Sequence, residues 1–464
     1  MKTRITLFFT LLVAGLGLGF AQDEECMTKL SVFHEYTKAK NFDEAYEPWM
    51  AVRNKCPKFN NAIYIDGEKI LDHKIENSSG AEKKAFMEDL LLLWEQRAEY
   101  FTSKTPKGEY MAKACQLMYD NRDILGKTDE ELFECFDNAY HMDKSTFNNP
   151  KSLYTYFSLM VDLYDAGKKP PKDLFNKYDD VVEKVEGEVQ NYSEKLNKLV
   201  AKEEGVDGQE GVALSKKEKS YKRYFESYLK AYDQISGSID GKLGDRANCE
   251  NLIPLYTKDF EAHRADAVWL KRAAGKMSEK ECTDDPLFFK LVNAYHEISP
   301  SANSAFYLGI LKDKDGDTRG AIDFYKQAIS LETDDFKKSK LNYRIGLKLK
   351  SKGNYGAARG FFREALKLNP SNGRPHLSIA TMYASSAKNC GDTNFNKRAV
   401  YWLAAQEARK ASRVDPTLKK AAAQSAANYE AKAPQRAEIF TAGNAGQTIK
   451  IGCWIGASVQ VPNL

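Results

Sequence analysis

Proline is scarce in this chain, 14 among 464 residues, and that leaves long stretches free to be helical. Ala, Leu, Lys, Glu and Tyr dominate instead, as suits stacked helices. Beyond Phe20 no uncharged apolar run approaches the roughly 18 residues needed to cross a bilayer. The mature chain therefore has no predicted transmembrane segment, and any outer-membrane association is expected to be peripheral. The mature sequence also lacks a CxxC pair, a GxSxG elbow and a phosphate-binding loop. His34, His73, His141, His263, His296 and His376 are scattered without the spacing of a zinc helix. No catalytic residue, no metal ligand and no cofactor is predicted. Charge of one sign is lacking too: the net charge is +4, and only +2 once Lys2 and Arg4 are set aside, so nothing suggests nucleic acid. What is present is a core, with 42% hydrophobic and 12% aromatic residues, in a length that suits two or three domains or one long repeat array.

The first segment reads as a secretory signal peptide. Lys2 and Arg4 precede an uncharged stretch from Ile5 to Phe20, and Gly19-Phe20-Ala21 precedes the acidic Gln22-Asp23-Glu24-Glu25. Cleavage is predicted before Gln22. Lipidation would need a cysteine directly after the apolar run, whereas Cys26 follows an acidic tetrapeptide, so a soluble periplasmic protein is expected.

Leu308-Gly309, Ala321, Tyr325 and Ala328 recur at the same offsets as Ile345-Gly346, Ala358, Phe362, Ala365 and Pro370. A small residue on one helix lets an Ala of the next approach, a bulky aromatic fills the gap beside them, and Pro stops the second helix. This pattern resembles the tetratricopeptide repeat, a unit of about 34 residues. The resemblance implies an all-α array of helical hairpins, with repeats at 302–335 and 339–372. A third copy begins at Gly373, carries Ile379-Ala380, Tyr383, Ala404, Ala408, Ala411 and Pro416, and has an insertion between its helices. At the other end, Val32-Phe33, Tyr36, Ala45, Trp49, Val52 and Pro57 repeat the pattern from Cys26. A weaker copy starts near Asn60, with Asp66-Gly67 and Ile70 on one helix and Ala85, Asp89 and Leu92 on the next.

The eight cysteines are an even number in a chain read as exported, which permits disulfides. An antiparallel hairpin would bring Cys26 to Cys56, and Cys115 and Cys135 flank a turn at Leu125-Gly126. Cys249 with Cys282 and Cys390 with Cys453 follow by elimination. The alternative is that some are buried thiols.

The middle differs from the ends. After Asn149-Pro150 an apolar helix runs from Leu153 to Tyr164 and stops at Gly167-Lys168-Lys169-Pro170-Pro171. Leu174, Tyr178, Val181, Val185, Val189, Tyr192, Leu196 and Leu199 then keep steps of three and four. Beyond the Gly205-to-Gly211 turn, so do Tyr221, Phe225, Tyr228, Tyr232, Ile235 and Ile239. Two such stripes predict a coiled-coil-like helical hairpin, either projecting or packed back on the repeats. After a helix from Leu418 to Ala433, alternation and β-branching between Thr448 and Val461 predict one or two short strands, read as a small β-rich cap, the alternative being a strand that docks on a partner by edge pairing. The expected organisation is a signal peptide at 1–21, N-terminal repeats at 22–150, the hairpin at 151–244, a repeat-like linker at 245–300, C-terminal repeats at 301–433 and the cap at 434–464.

Export, the Cys-bounded first repeat with Asn41-Phe42-Asp43-Glu44-Ala45 and Pro48-Trp49, and the Gly452-Cys453-Trp454-Ile455 tail together resemble exported tetratricopeptide proteins of Bacteroidota envelopes. That resemblance implies a periplasmic scaffold serving an outer-membrane assembly or secretion complex. The tetratricopeptide family receives peptides on the face lined by first helices, and its positions fall here on Asn303, Phe306, Ile310, Lys340, Tyr343, Leu347, Lys350, Arg374, Leu377 and Thr381. Basic and aromatic groups there would clamp an acidic or carboxylate-ended peptide. The alternatives are a structural protein bound to peptidoglycan or a membrane surface, and a hydrolase whose site is assembled from distant residues. Asp313, Asp315, Gly316 and Asp317 resemble the start of a calcium loop, but Phe324 stands where an EF-hand needs Glu, so a solvated turn is expected.

Overall fold

A computed structural model describes residues 24–205 and 210–464. The predicted signal peptide, and positions 206–209 of the predicted turn, lie outside the described residues. The chain divides into two compact units between Lys177 and Tyr178. The first holds α1 (24–38), α2 (Phe42–Lys55), α3 (Ala62–Glu76), α4 (Gly80–Tyr100), α5 (Lys107–Asp120), α6 (Arg122–Leu125), α7 (Asp129–Met142) and α8 (Pro150–Asp165). The boundary falls within α9 (Pro171–Glu204).

Local chemistry fixes these helix ends. Thr128 and Glu131 form a reciprocal capping box on α7, and the Asn149 side chain accepts from Ser152 N with Pro150 in the first turn of α8. The Leu125-Gly126 turn is real: Gly126 sits at φ +65° between α5 and α7, and the Cys115–Cys135 bridge joins the two helices. In the first repeat Trp49 is fully buried and its indole N–H donates to the Ile63 carbonyl at 2.7 Å. A Cβ on Gly67 would lie 2.6 Å from that indole, so glycine is what lets α3 close on α2. The second copy is displaced from its expected register. Ala85 and Leu92 are exposed, and Met87, Leu90, Leu93 and Trp94 form the inward face of α4. The residues inserted before α4 rotate its apolar face, which the spacing of the repeat could not convey.

The second unit continues with α10 (Lys216–Leu243), α11 (Cys249–His263), α12 (Ala267–Glu279) and α13 (Pro286–Ile298). The repeats follow as α14 (Ala302–Lys314) with α15 (Thr318–Leu331), α16 (Asp335–Ser351) with α17 (Tyr355–Leu368), and α18 (Arg374–Ser386) with α19 (Asn394–Val414). Within the first two pairs the small-against-aromatic rule holds: a Cβ on Gly309 would meet Tyr325 at 2.4 Å, and one on Gly346 would meet Phe362 at 2.5 Å. Ala321, Ala328, Ala358 and Ala365 are buried beside these rings. The acidic segment before α15 is a turn, in which Asp317 caps the helix by accepting from Gly320 N at 2.9 Å.

α9 and α10 form the hairpin, with Val181, Val185, Leu196 and Val200 buried on one helix and Leu229, Tyr232, Ile239 and Leu243 on the other. The stripe opens toward its end, where Tyr221 is exposed. The hairpin packs on its own unit and does not project. Arg272 Nη2 of α12 reaches Asp180 at 3.0 Å and Glu183 at 3.1 Å, and Gln190 donates to Asp334 at 2.7 Å. At its base Lys276, 4% exposed, lies 3.4 Å from Asp179 and 3.5 Å from the centroid of the Tyr178 ring.

The tail adds α20 (Lys419–Lys432), which packs along α19, a short α21 (Arg436–Ala442) absent from the sequence expectation, and antiparallel strands β1 (Thr448–Ile451) and β2 (Ala457–Gln460). Trp454 fastens the strands to the repeats. Its ring centroid lies 5.5 Å from both Tyr355 and Tyr383, and its N–H donates to Ser386 Oγ at 2.9 Å. Arg359 donates to the Ile455 carbonyl at 2.5 Å. Disulfides join Cys26–Cys56, Cys115–Cys135, Cys249–Cys282 and Cys390–Cys453.

Candidate functional site

The second unit contains a cleft of about 360 Å³ between the hairpin and the first helices of the repeats. One wall is the hairpin, contributing Val185, Val189 and Leu229. The other is α16 and the loops before α18 and after α19, contributing Phe336, Tyr343, Asn369, Ser371 and Pro416. Helical spacing explains the first wall, since Val185 and Val189 lie one turn apart on one face of α9.

Two ion pairs span the rim. Lys340 Nζ stands 2.6 Å from Glu186 Oε1, and Arg374 Nη2 stands 2.7 Å from Asp233 Oδ1. All four side chains are about half exposed, so each pair contributes only about 0–1 kcal/mol to stability. The polar end of the cleft is more firmly built. Asn197 of α9 accepts from Ser371 N at 3.0 Å. Asp415 accepts from Gly373 N at 2.9 Å and from the Thr417 hydroxyl at 2.6 Å. A Cβ on Gly373 would lie 2.7 Å from the Cβ of Asp415, so that corner requires glycine. Beyond the rim, burial raises the pKa of Asp334, but hydrogen bonds from Lys337 N and the Gln190 amide outweigh it and hold the carboxyl below its usual value.

Of the residues expected on a peptide-binding face, the cleft brings together Lys340, Tyr343 and Arg374. Asn303, Leu347, Lys350, Leu377 and Thr381 do not line it. Phe306 and Ile310 are only 1% and 5% exposed. Phe306 packs on Tyr325 with Arg344 at 4.0 Å over its ring, which makes it part of the repeat core. Burial lowers the pKa of Lys350. Glu186 and Asp233, the acidic half of the rim, were not anticipated. They are separated by some 140 residues or more from their partners, and no local pattern announces them.

The arrangement can hold an apolar side chain between Val189 and Tyr343 while exchanging carboxylates at two cations. Among the described residues no group of three or more His, Cys, Asp or Glu is placed to hold a metal ion, and no helix is long and apolar enough to cross a membrane.

Comparison with known proteins places a tetratricopeptide repeat at residues 339–372, which are α16 and α17. No curated protein sequence matches the chain. Among solved structures, it is similar to a tetratricopeptide repeat protein from Parabacteroides merdae, at 11% identity over 68% of this chain and 97% of that one, with a TM-score of 0.24. Yeast Tom70 is 12% identical over 91% of this chain and 84% of its own, with a TM-score of 0.24. The Cut9–Hcn1 assembly of APC/C is 11% identical over 85% of this chain and 95% of that one, with a TM-score of 0.30. Likenesses this shallow carry no argument about function.

Proposed function

We propose that this chain is a non-enzymatic periplasmic scaffold of the cell envelope, and that it holds a peptide segment of a partner in the cleft between its hairpin and its C-terminal repeats. A tetratricopeptide repeat implies a protein-interaction role, and the observation that carries the finer reading is the rim. Lys340 and Arg374 face an apolar slot from the repeat side, and their present partners, Glu186 and Asp233, are half-exposed carboxylates that a ligand's carboxylates can replace at little cost. An acidic or carboxylate-ended segment with an apolar anchor fits that chemistry. Four disulfides suit an oxidising compartment, in keeping with the signal-like Met1 to Ala21 segment. Attachment to an outer-membrane assembly or secretion complex is the setting this reading favours.

The test is crosslinking in the native envelope, followed by mass spectrometry of what travels with the tagged protein. A defined, stoichiometric set of envelope proteins is expected. The Lys340→Glu and Arg374→Glu double variant should lose that set, and Glu186→Gln with Asp233→Asn should retain it more tightly. Unchanged capture by the first variant would remove the cleft from the proposal, and recovery of cell-wall material alone would favour a structural role.

A further inference from the structure

The last repeat-like helix has no second helix of its own. Ala380 and Tyr383 of α18 stand ten and thirteen residues beyond Pro370, and Ala426 and Tyr429 of α20 stand ten and thirteen beyond Pro416. α20 therefore has the phase of a first helix in a fourth pair. In earlier pairs a second helix closes on that position: Tyr325 of α15 on Gly309, Phe362 of α17 on Gly346. The described chain supplies none for α20. After Lys432 come Pro434 and α21, which has seven residues and is held near the start of α19, where Arg398 binds Glu438 and the Ala433 carbonyl. The strands then pack on α19, and Trp454 lies against Tyr355 and Tyr383.

What remains is a groove of about 570 Å³ between the end of α19 and α20, and no residue beyond Glu430 lines it. Its floor is small, with Ala426 buried and Ala423 and Ala427 exposed on the same face of α20. Its α19 rim is basic, formed by Arg409, Lys410 and Arg413. Between Asn394 and Lys432 eight Lys and Arg stand against three Asp and Glu, a net +5 in a chain whose whole sequence carries +4. This helix pair is thus a basic end on an otherwise slightly acidic chain. The acids that answer the rim are weakly engaged. Arg409 pairs with Glu430 and Arg413 stands 3.9 Å from Glu204, all four side chains being 42–60% exposed, so a ligand's carboxylates can take over both cations at little cost.

We infer that this groove receives an acidic helix of a partner protein, which completes the fourth pair in trans. The helix that fits carries a large apolar side chain to lie on Ala426, as Phe362 lies on Gly346, and small residues about one turn to either side, as Ala358 and Ala365 flank Phe362. Its Asp or Glu side chains face Arg409 and Arg413. A second copy is a poorer occupant, because two such faces set against each other would juxtapose like charges. A bilayer is poorer too, since the lining holds no Trp, Phe or Leu to enter it, and a nucleic acid would find no aromatic ring there to stack on.

Fluorescence anisotropy on the mature, full-length protein tests this with a labelled peptide of the α17 sequence, Tyr355 to Leu368, in which Arg359, Arg363 and Lys367 are replaced by Glu. A lactam bridge at the positions of Gly356 and Gly360, where a side chain meets nothing in the parent fold, holds it helical. The acidic peptide should bind, and the bridged peptide that keeps its Arg and Lys should bind at least tenfold more weakly. Phe362→Ala within the acidic peptide should cost severalfold in affinity. In the protein, Arg409→Glu with Arg413→Glu should weaken binding at least tenfold. Ala427→Phe, which fills the groove from an exposed position, should do the same without changing charge, and it serves alone if the arginine variant melts early. The Lys340→Glu and Arg374→Glu variant should bind the peptide unchanged, which separates this groove from the cleft. No binding of the acidic peptide, equal binding of the basic one, or full affinity in either groove variant would overturn the inference. So would a dimer in sedimentation that Ala427→Phe abolishes, or tighter binding of oligothymidylate or phosphatidylglycerol vesicles through the same arginines.

Discussion

The first repeat and the C-terminal repeats solve one packing problem in two ways. At 302–372 each aromatic closes on the glycine of its own pair: Tyr325 on Gly309, Phe362 on Gly346. In the first repeat the corresponding small position is taken by Phe33, fully buried. Trp49 consequently reaches forward onto Gly67 of the following pair. Close helix approach needs a missing Cβ wherever the large ring lands, and the ring need not land within its own repeat. The regions also carry buried charge differently. Arg53 lies over Trp49 and is satisfied by Asp89 at 2.8 Å and Gln96 at 2.9 Å. At the hairpin base, Asp179 is pushed up to about 6, chiefly by burial, with Lys276 and Arg272 opposing the shift.

This contrast can be broken most severely at Trp49. Trp49→Ala empties a fully buried site and orphans the Ile63 carbonyl, so denaturant unfolding should show a loss of about 3–5 kcal/mol. A smaller effect with an internal control comes from the glycines. Gly309→Ala and Gly346→Ala force a Cβ into an aromatic ring and should cost about 1–3 kcal/mol. Gly360→Ala, on α17 with nothing within 4 Å of the added Cβ, should instead stabilise by about 0.5–1 kcal/mol. Equal responses at the three positions would defeat the close-approach account.

The smallest effect is one of pH. Because the folded carboxyl of Asp179 titrates above its ordinary value of 3.8, folding favours its protonated form. The stability it contributes is present below about pH 4 and is lost as pH rises through about 6. Asp179→Asn removes that dependence. The melting temperature of the variant relative to the parent should therefore rise between pH 4 and pH 7. A difference that stays flat would mean that Asp179 does not titrate in this window.

The legible part of the fold was the part with local periodicity. Gly309, Ala321, Tyr325 and their counterparts announced helix pairs because the small and large residues that meet lie about a turn or two from a connecting loop. The two stripes at Leu174 to Leu199 and Tyr221 to Ile239 announced the hairpin for the same reason. Legibility failed where an insertion changed phase, as at Ala85 and Leu92, and where a short helix such as α21 lacks a full period. Of the residues expected on a binding face, the repeat's phase brought Lys340, Tyr343 and Arg374 into the lining of one cleft. Phe306 occupies an equivalent phase but is buried, because Tyr325 and Arg344 close over it.

By itself, then, the sequence determined the all-α class, the helix pairs with their small-against-aromatic seams, and a tail that forms short strands rather than a helix. Each depends on residues close in the chain, or on side chains whose size alone dictates which can meet. The tertiary structure decided that the hairpin lies back on the repeats and that Glu186 and Asp233 answer Lys340 and Arg374. Those outcomes depend on where segments more than a hundred residues apart come to rest, and charge partners on such segments leave no period in the sequence to read.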